Sequence, residues 1–518
     1  LVEKSQTIFD LIKERKGDTI PVSKFMDIMD GSFECGTSKL EKRKTSEFVP
    51  SWINSNCIEC NQCSFVCPHS VIRPFILNEK EYNDSPEYIK EKCKKMLGKE
   101  NMYFILGISI KDCTGCGLCI KTCPSKEKAL ISKNIDIELR NNVQEIYDYL
   151  DKNITYKPIF NKYTVKGSQF KQSKFCFPGA CAGCGETAYI KILTQLFGEN
   201  LIIANATGCS SIYGGSIPSI PYSLPWMNSL FEDNAEFGFG ILNANNYIRN
   251  RIKNIMENNL EGKNKELFTE WLNNYDDYEI TKKVYNLIDY NETKELLELK
   301  DYIPSRTVFM IGGDGWAYDI GYSGIDHVLA SNQNVNILVL DTEVYSNTGG
   351  QSSKSSRIGS IASFTSDGKK QNKKDLARLA LSYPNVYVAQ ISIGANYNQI
   401  LKVFNEAASY NGPSIIIAYS TCISHGIKGG MNNSLDMSKM AVECGFFPLF
   451  HYNPTEKKLY LDYKEPNFDL YEEFLNKQTR FSMLKTINKE KSEELLLKNK
   501  QNSIERFNYY KKLSEETN

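Results

Sequence analysis

Several things are missing from this sequence, and each absence narrows its use. There is no excess charge: 62 Lys and Arg stand against 62 Asp and Glu, so no basic field predicts a nucleic-acid partner. No run of about eighteen apolar residues occurs, so no membrane span is expected. There is no initiating Met, and the opening residues LVEKSQTIFDLIKERKGD contain no apolar signal core; the expectation is a piece cut from a longer chain that is not secreted. Disulfide spacing is missing too. Many of the 16 Cys lie two residues apart, a separation that suits metal ligation in a reducing compartment better than S–S geometry. What is present is 518 residues, 41% hydrophobic and 12% aromatic, enough for roughly two to four domains with filled cores.

The Cys pattern is the strongest signal. CIECNQCSFVCP (57–68) and CTGCGLCIKTCP (113–124) both space four thiols by two, two and three residues, with Pro behind the last. Thiolates so spaced reach three corners of one cubane, while the fourth Cys lies too far along and ligates the other cluster. Cys57, Cys60 and Cys63 should therefore join Cys123, and Cys113, Cys116 and Cys119 should join Cys67, each group holding one [4Fe–4S] cluster. Zinc knuckles are the alternative, but zinc sites rarely add a third Cys two residues after the second. The module resembles a bacterial-type two-cluster ferredoxin domain, a wire for single electrons.

From about residue 171 the texture changes. The runs 200–208, 307–315, 335–343, 386–394 and 414–421 are apolar and bounded by turns, which reads as buried parallel strands alternating with crossover helices. The fold class expected is α/β: a doubly wound, mainly parallel sheet preceded by a small α+β ferredoxin-like domain. The divisions expected are a linker at 1–50, the two-cluster domain at 51–133, a connector at 134–170, the α/β domain at 171–470 with a helical insertion near 245–305, and a helical tail at 471–518.

Two loops in that domain carry chemistry. GGDGWAYDIG (312–321) ends one strand and opens a helix; LDTEVYSNTGG (340–350) ends another. A Gly-Asp-Gly turn lets backbone approach a diphosphate, the helix N-terminus favours the anion, and Asp314 is placed to hold a divalent cation with oxygens of the second loop. Alone, a GDG is an ordinary strand-to-helix turn; with the Asn-bearing loop it resembles the thiamine-diphosphate motif. Cys181 and Cys184 in GACAGCGETAY, Cys209 in NATGCSSIYGG and Cys422 in YSTCISHGIKGG form a further set. Cys209 and Cys422 follow predicted parallel strands, whose carboxyl ends converge on one crevice. A third cluster or a Cys₄ zinc site would both suit that spacing; the ferredoxin-like wire, which needs an entrance, favours the cluster.

Together with EKRKTSEFVPSW (41–52) and TVKGSQF (164–170), these strings resemble the C-terminal part of pyruvate:ferredoxin oxidoreductases over nearly the whole chain. The resemblance implies oxidative decarboxylation of pyruvate to acetyl-CoA and carbon dioxide, with thiamine diphosphate, Mg²⁺, CoA as co-substrate and three [4Fe–4S] clusters feeding a ferredoxin or flavodoxin. By match, Asp314, Thr342 and the Val344 carbonyl hold magnesium. Gly313, Asp314, Gly315 and Trp316, with Thr342, Glu343, Val344, Tyr345, Ser346 and Asn347, surround the diphosphate. Glu186 and Cys209 contact the thiamine, with Glu186 and Asn347 as catalytic candidates. Cys181, Cys184, Cys209 and Cys422 hold the nearest cluster. His425 reads as a residue behind the ligands or facing solvent, and Cys35, Cys93, Cys176 and Cys444 as ordinary thiols. The family analogy also implies a homodimer in the cytoplasm or a reducing, hydrogenosome-like organelle. The second thiamine-binding half and the CoA domain are not recognisable here, so CoA would be bound largely by missing domains and the segment alone should not turn over. Rival readings are an oxidoreductase for another 2-oxo acid, a fusion passing electrons to NADP, an electron-transfer scaffold with vestigial thiamine loops, and a structural zinc protein.

Overall fold

The computed structural model describes residues 7–516 apart from Pro158, Ile217 and Lys464. Its strands are β1 (Phe48–Trp52), β2 (Ile72–Asn78), β3 (Lys94–Lys95), β4 (Met102–Ile108), β5 (Leu130–Asn134), β6 (Leu201–Ala206), β7 (Trp226–Ser229), β8 (Thr307–Gly313), β9 (Asn336–Asp341), β10 (Tyr387–Ser392), β11 (Ser414–Tyr419), β12 (Phe450–Asn453) and β13 (Lys458–Leu461). The five apolar runs of the sequence are β6, β8, β9, β10 and β11. They lie in one eight-stranded sheet of order β13-β12-β10-β11-β9-β8-β6-β7, parallel from β10 through β7 and closed at the other edge by the antiparallel β12–β13 hairpin.

Helices cover both faces, so the central strands bury every residue and read as continuous apolar runs rather than alternating ones. In β9, Ile337 and Val339 enter one core, with Trp316 and Phe446; Leu338 and Leu340 enter the opposite core, with Tyr189 and Phe404. Each such fully buried aliphatic side chain contributes about 1.5–3 kcal/mol. The chain leaves β6 outward to β7 and then crosses back to β8 on β6's other side. That reversal opens a crevice at the strands' carboxyl ends.

The small module has two antiparallel sheets, β1–β5 and β2–β4–β3. The stretch expected as a connector contains helix Val143–Asn153, which buries Ile146, Tyr147 and Leu150. Ile146 and Leu150 share a core with Phe75, Leu77 and Ile105, so this helix packs on the small module's sheet. The stretch expected as an N-terminal linker lies along the α/β domain: the Gly36 and Ser38 amides donate to the carbonyls of Tyr222 (2.6 Å) and Ile220 (3.2 Å). The helical insertion begins earlier than its polar composition suggests, with helix Asn234–Glu257, and has its own core around Phe268, Trp271 and Val284. The tail ends in helix Lys489–Glu516, anchored by Leu495, Phe507 and Tyr510. Among the described residues no helix is long and apolar enough to cross a membrane.

Candidate active site

Each four-Cys run begins as a loop and ends in a short helix, Gln62–Phe65 or Leu118–Thr122. Two loop residues in each take left-handed backbone: Glu59 and Asn61 (φ 59° and 60°) in the first, Gly115 and Gly117 (φ 66° and 75°) in the second. These reversals bring Cys57, Cys60, Cys63 and Cys123 to one cavity, and Cys67, Cys113, Cys116 and Cys119 to another. Burial, with the charge of Cys67 added, raises the Cys113 and Cys116 thiols to about 12 and about 11; iron would reverse that, because a coordinating thiol deprotonates. Amide N–H groups point at the sulfurs, Gly115 at Cys113 (3.4 Å) and Gly183 at Cys116. Four thiols with N–H donors around a cavity fit an iron–sulfur cluster. Among the described residues no three His, Cys, Asp or Glu side chains are grouped as ligands of a single ion.

The third set gathers at the carboxyl ends of the large sheet. Cys209 follows β6 and opens helix Cys209–Gly215; Cys422 follows β11. The loop bearing Cys181 and Cys184 is drawn onto β11's end because Gly185 has no side chain: its amide donates to the Thr421 carbonyl (3.1 Å), and a Cβ there would strike the Thr421 backbone. Burial, then the charges of Glu186, Cys184, Cys422 and Cys181, push the Cys209 thiol far up, so all four sulfurs share one neighbourhood. The Glu186 amide donates to Cys184 Sγ (3.5 Å) and the Ser424 amide to Cys422 Sγ (3.4 Å).

Beside this set a cavity of about 160 Å³ is lined by Glu186, Cys209, Gly313, Asp314, Gly315, Trp316, Thr342, Val344, Tyr345, Ser346 and Asn347. Asp314 is buried at the end of β8, where it accepts hydrogen bonds from Thr342 Oγ1 (3.3 Å) and Ser353 Oγ (2.5 Å). The single Thr342 hydroxyl proton is shared between Asp314 and the nearer Val344 carbonyl (3.0 Å), and Ser346 Oγ donates to Thr342 Oγ1 (3.0 Å). Burial and the neighbouring Asp341 drive the Asp314 carboxyl well above its ordinary range. A buried carboxylate with oxygens converging on it fits a divalent cation. Trp316 is both core and cavity wall. Glu186 is buried and accepts a hydrogen bond from Tyr213 (2.9 Å); burial raises its carboxyl to about 7. Asn347 sits at the exposed lip.

Glu343, expected in the diphosphate shell with its neighbours, turns away from the cavity. Its left-handed backbone (φ 60°) sends the carboxylate into the core, where Arg357 Nε (2.8 Å), Arg480 (3.0 Å) and Lys373 (3.2 Å) surround it. Those cations hold its carboxyl well below the usual range against the cost of burial. His425 is also buried rather than solvent-facing, with Nε2 2.7 Å from the Thr342 carbonyl. Both residues brace the 342–347 loop from behind. Sequence reasoning missed the Glu343–Arg357–Arg480–Lys373 group because its members are far apart in the chain; the one trace was a second acidic residue, Glu343, just past the acidic end of β9 at Asp341.

Family comparison gives three matches: a 4Fe-4S dicluster domain over 56–127, a thiamine pyrophosphate enzyme C-terminal binding domain over 297–418, and a domain of unknown function over 6–46. A pyruvate:ferredoxin oxidoreductase of Moorella thermoacetica is 44% identical over 98% of this chain and 46% of its own length. The chain is homologous to part of such oxidoreductases. A pyruvate-flavodoxin oxidoreductase of Enterobacter agglomerans is 43% identical over 97% of the chain and 45% of itself. A mitochondrial pyruvate dehydrogenase [NADP(+)] of Euglena gracilis is 42% identical over 100% of the chain and 30% of itself. The chain thus spans less than half the length of these homologous oxidoreductases.

Proposed function

We propose that the chain is the part of a pyruvate:ferredoxin or flavodoxin oxidoreductase that forms one wall of the thiamine-diphosphate site and leads electrons out through three [4Fe–4S] clusters. The position of Cys209 carries this reading: one residue lines the Asp314 cavity and belongs to the third sulfur group. A structural zinc site has no need to share a wall with an anion-binding crevice; a redox centre does.

Thiamine diphosphate, when bound, supplies the decarboxylation chemistry of 2-oxo acids. The chain's residues do the rest. Asp314, Thr342 and the Val344 carbonyl hold magnesium against the diphosphate; Gly313–Trp316 and Thr342–Asn347 surround it, with Glu343 acting from behind. Glu186, carrying its proton up to about pH 7, holds or returns a proton beside Cys209. Asn347 meets the substrate at the lip. The neighbours of each sulfur group support one order of clusters. Cys181, Cys184, Cys209 and Cys422 come first. The Gly183 amide, inside that first loop, touches Cys116, so Cys67, Cys113, Cys116 and Cys119 come second. Cys119 in turn feels Cys63, so Cys57, Cys60, Cys63 and Cys123 come last. Pyruvate as the 2-oxo acid, CoA as acyl acceptor and a homodimeric assembly belong to the same proposal. The cavity of about 160 Å³ is smaller than the roughly 300–1,000 Å³ of a site that encloses a whole ligand, so a second wall comes from elsewhere in the enzyme.

Metal analysis after anaerobic purification tests this. We expect about twelve iron atoms per chain, three clusters of four, and little zinc; zinc in place of iron overturns the reading. Cys422→Ser should remove about a third of the iron, and loss of all of it counts against a separate third site.

A further inference from the structure

The helix Thr187–Phe197 joins the two halves of the electron path. It begins beside Cys184 and Glu186 and runs beneath the ferredoxin-like module, and ten of its eleven residues are buried. In its middle is one cation. Lys191 is 1% exposed, and its ammonium donates to the carbonyls of Ser64, Phe65 (2.7 Å) and Cys67 (3.2 Å). These carbonyls lie at and beyond the C-terminal end of helix Gln62–Phe65, where backbone acceptors are left over and a positive charge is favoured.

Three carbonyls satisfy the ammonium's hydrogen bonds but not its charge. A buried, uncompensated cation costs several kcal/mol. Among the described residues no Asp or Glu forms an ion pair with Lys191; the ionisable groups whose charge reaches it are the thiols of Cys67, Cys63 and Cys176. Cys176 is engaged elsewhere, its thiol donating to the Ser173 carbonyl (3.3 Å). Cys67 belongs to the middle sulfur group and Cys63 to the outer one. The anionic partner available to this lysine is therefore the pair of clusters.

We propose that Lys191 is a positioning residue for electron transfer: a single buried ammonium, supplied by the thiamine-binding half, that raises the reduction potentials of the middle and outer clusters together and ties their loading to the docking of the two halves. This rests on the proposed function. A fixed positive charge favours the reduced, more negative form of a nearby cluster, so its removal lowers the potential. Cys67 is the residue it bonds directly, so the middle cluster should respond most and the outer one less. The cluster at Cys181, Cys184, Cys209 and Cys422 should respond least, because Lys191 bonds the carbonyls of the 64–67 segment and none of that set's loops.

The experiment is a redox titration followed by low-temperature EPR on the whole chain, comparing the wild type with Lys191→Met, Lys191→Gln and Lys191→Arg. In both neutral variants the middle cluster should become about tenfold harder to reduce, 59 mV for a one-electron couple. The outer cluster should shift by less in the same direction, the first by least, and Lys191→Arg should restore most of the difference. Gln keeps a donor for the carbonyls, so it decides the case if Met prevents folding. Loss of the two clusters from both neutral variants, with retention in Arg, also supports a role for charge. Unchanged potentials in a neutral variant with full iron overturn the proposal, as does loss from Arg as severe as from Met. Absence of clusters from the wild type would instead sink the underlying function.

Discussion

The two four-Cys runs share a spacing and a backbone path but reach it by different means. Both need left-handed residues after the first and second thiols. The second run uses Gly115 and Gly117, the first Glu59 and Asn61. Glycine at 115 is a packing requirement, because a Cβ there would collide with Ser46 Oγ and come within 2.9 Å of the Phe48 carbonyl. In the first run the same positions carry buried polar side chains. Glu59 is fully buried and accepts the Leu97 amide (3.1 Å); Lys94 (3.7 Å) and Lys166 (3.5 Å) flank it. Asn61 donates to the Lys166 carbonyl (3.0 Å). One loop is held by close packing, the other by side chains that accept an unfavourable backbone region in exchange for a polar network.

The comparison breaks most visibly at Gly115. Gly115→Ala adds about 1–2 kcal/mol for an L-residue in left-handed backbone and about 1–3 kcal/mol for overpacking. The expected result is a markedly lower denaturation midpoint and loss of the middle cluster, about a third of the iron. Gly117→Ala is the control: its Cβ would meet nothing nearer than Asn432 at 3.8 Å, so only the backbone cost applies and iron should be retained. Equal damage from both would mean that crowding does not set the second loop.

A smaller effect is expected at Glu59. Glu59→Gln keeps an acceptor for Leu97 but leaves Lys94 and Lys166 without a countercharge. Their side chains are 20% and 29% exposed, so water offsets part of the loss, and about 1–2 kcal/mol is expected rather than the 3–5 kcal/mol of a wholly buried pair. A urea titration measures it; iron content should hold, with the outer cluster the first to bleach in air. An unchanged midpoint would make Glu59 a spectator.

Local spacing made much of the molecule legible. Ligand intervals in CxxCxxCxxxC are a property of a few consecutive residues, and the continuous apolar runs of β9, β10 and β11 follow directly from burial on both faces. The roles of Lys191 and Glu343 were not legible, because each depends on partners more than a dozen residues away. Lys191 left one trace in the string TAYIKILTQLF (187–197), a lone cation in a helix with no other charged residue. The helix Val143–Asn153 was hidden for the opposite reason: its charged exposed face masks the Ile146 and Leu150 stripe that packs on the small sheet.

The finest test of the comparison is Asn61→Gly, which makes the first loop resemble the second. Asn visits the left-handed region at little cost, so glycine gains almost nothing in the folded state, while its freer unfolded chain costs about 0.5–1 kcal/mol. The lost hydrogen bond to Lys166 adds roughly 0.5–1.5 kcal/mol. A net destabilisation of about 1–2.5 kcal/mol, with all iron retained, is expected in a denaturant titration. Asn61→Ala should be worse, since it loses the same bond and also meets the backbone penalty that glycine escapes. If alanine costs less than glycine by the about 0.5–1 kcal/mol of the freer unfolded chain, the side chain alone matters at 61 and the left-handed turn carries no strain. If glycine strips the outer cluster, Asn61 does more than turn the chain, and the first loop depends on its polar network for cluster retention as well as for stability.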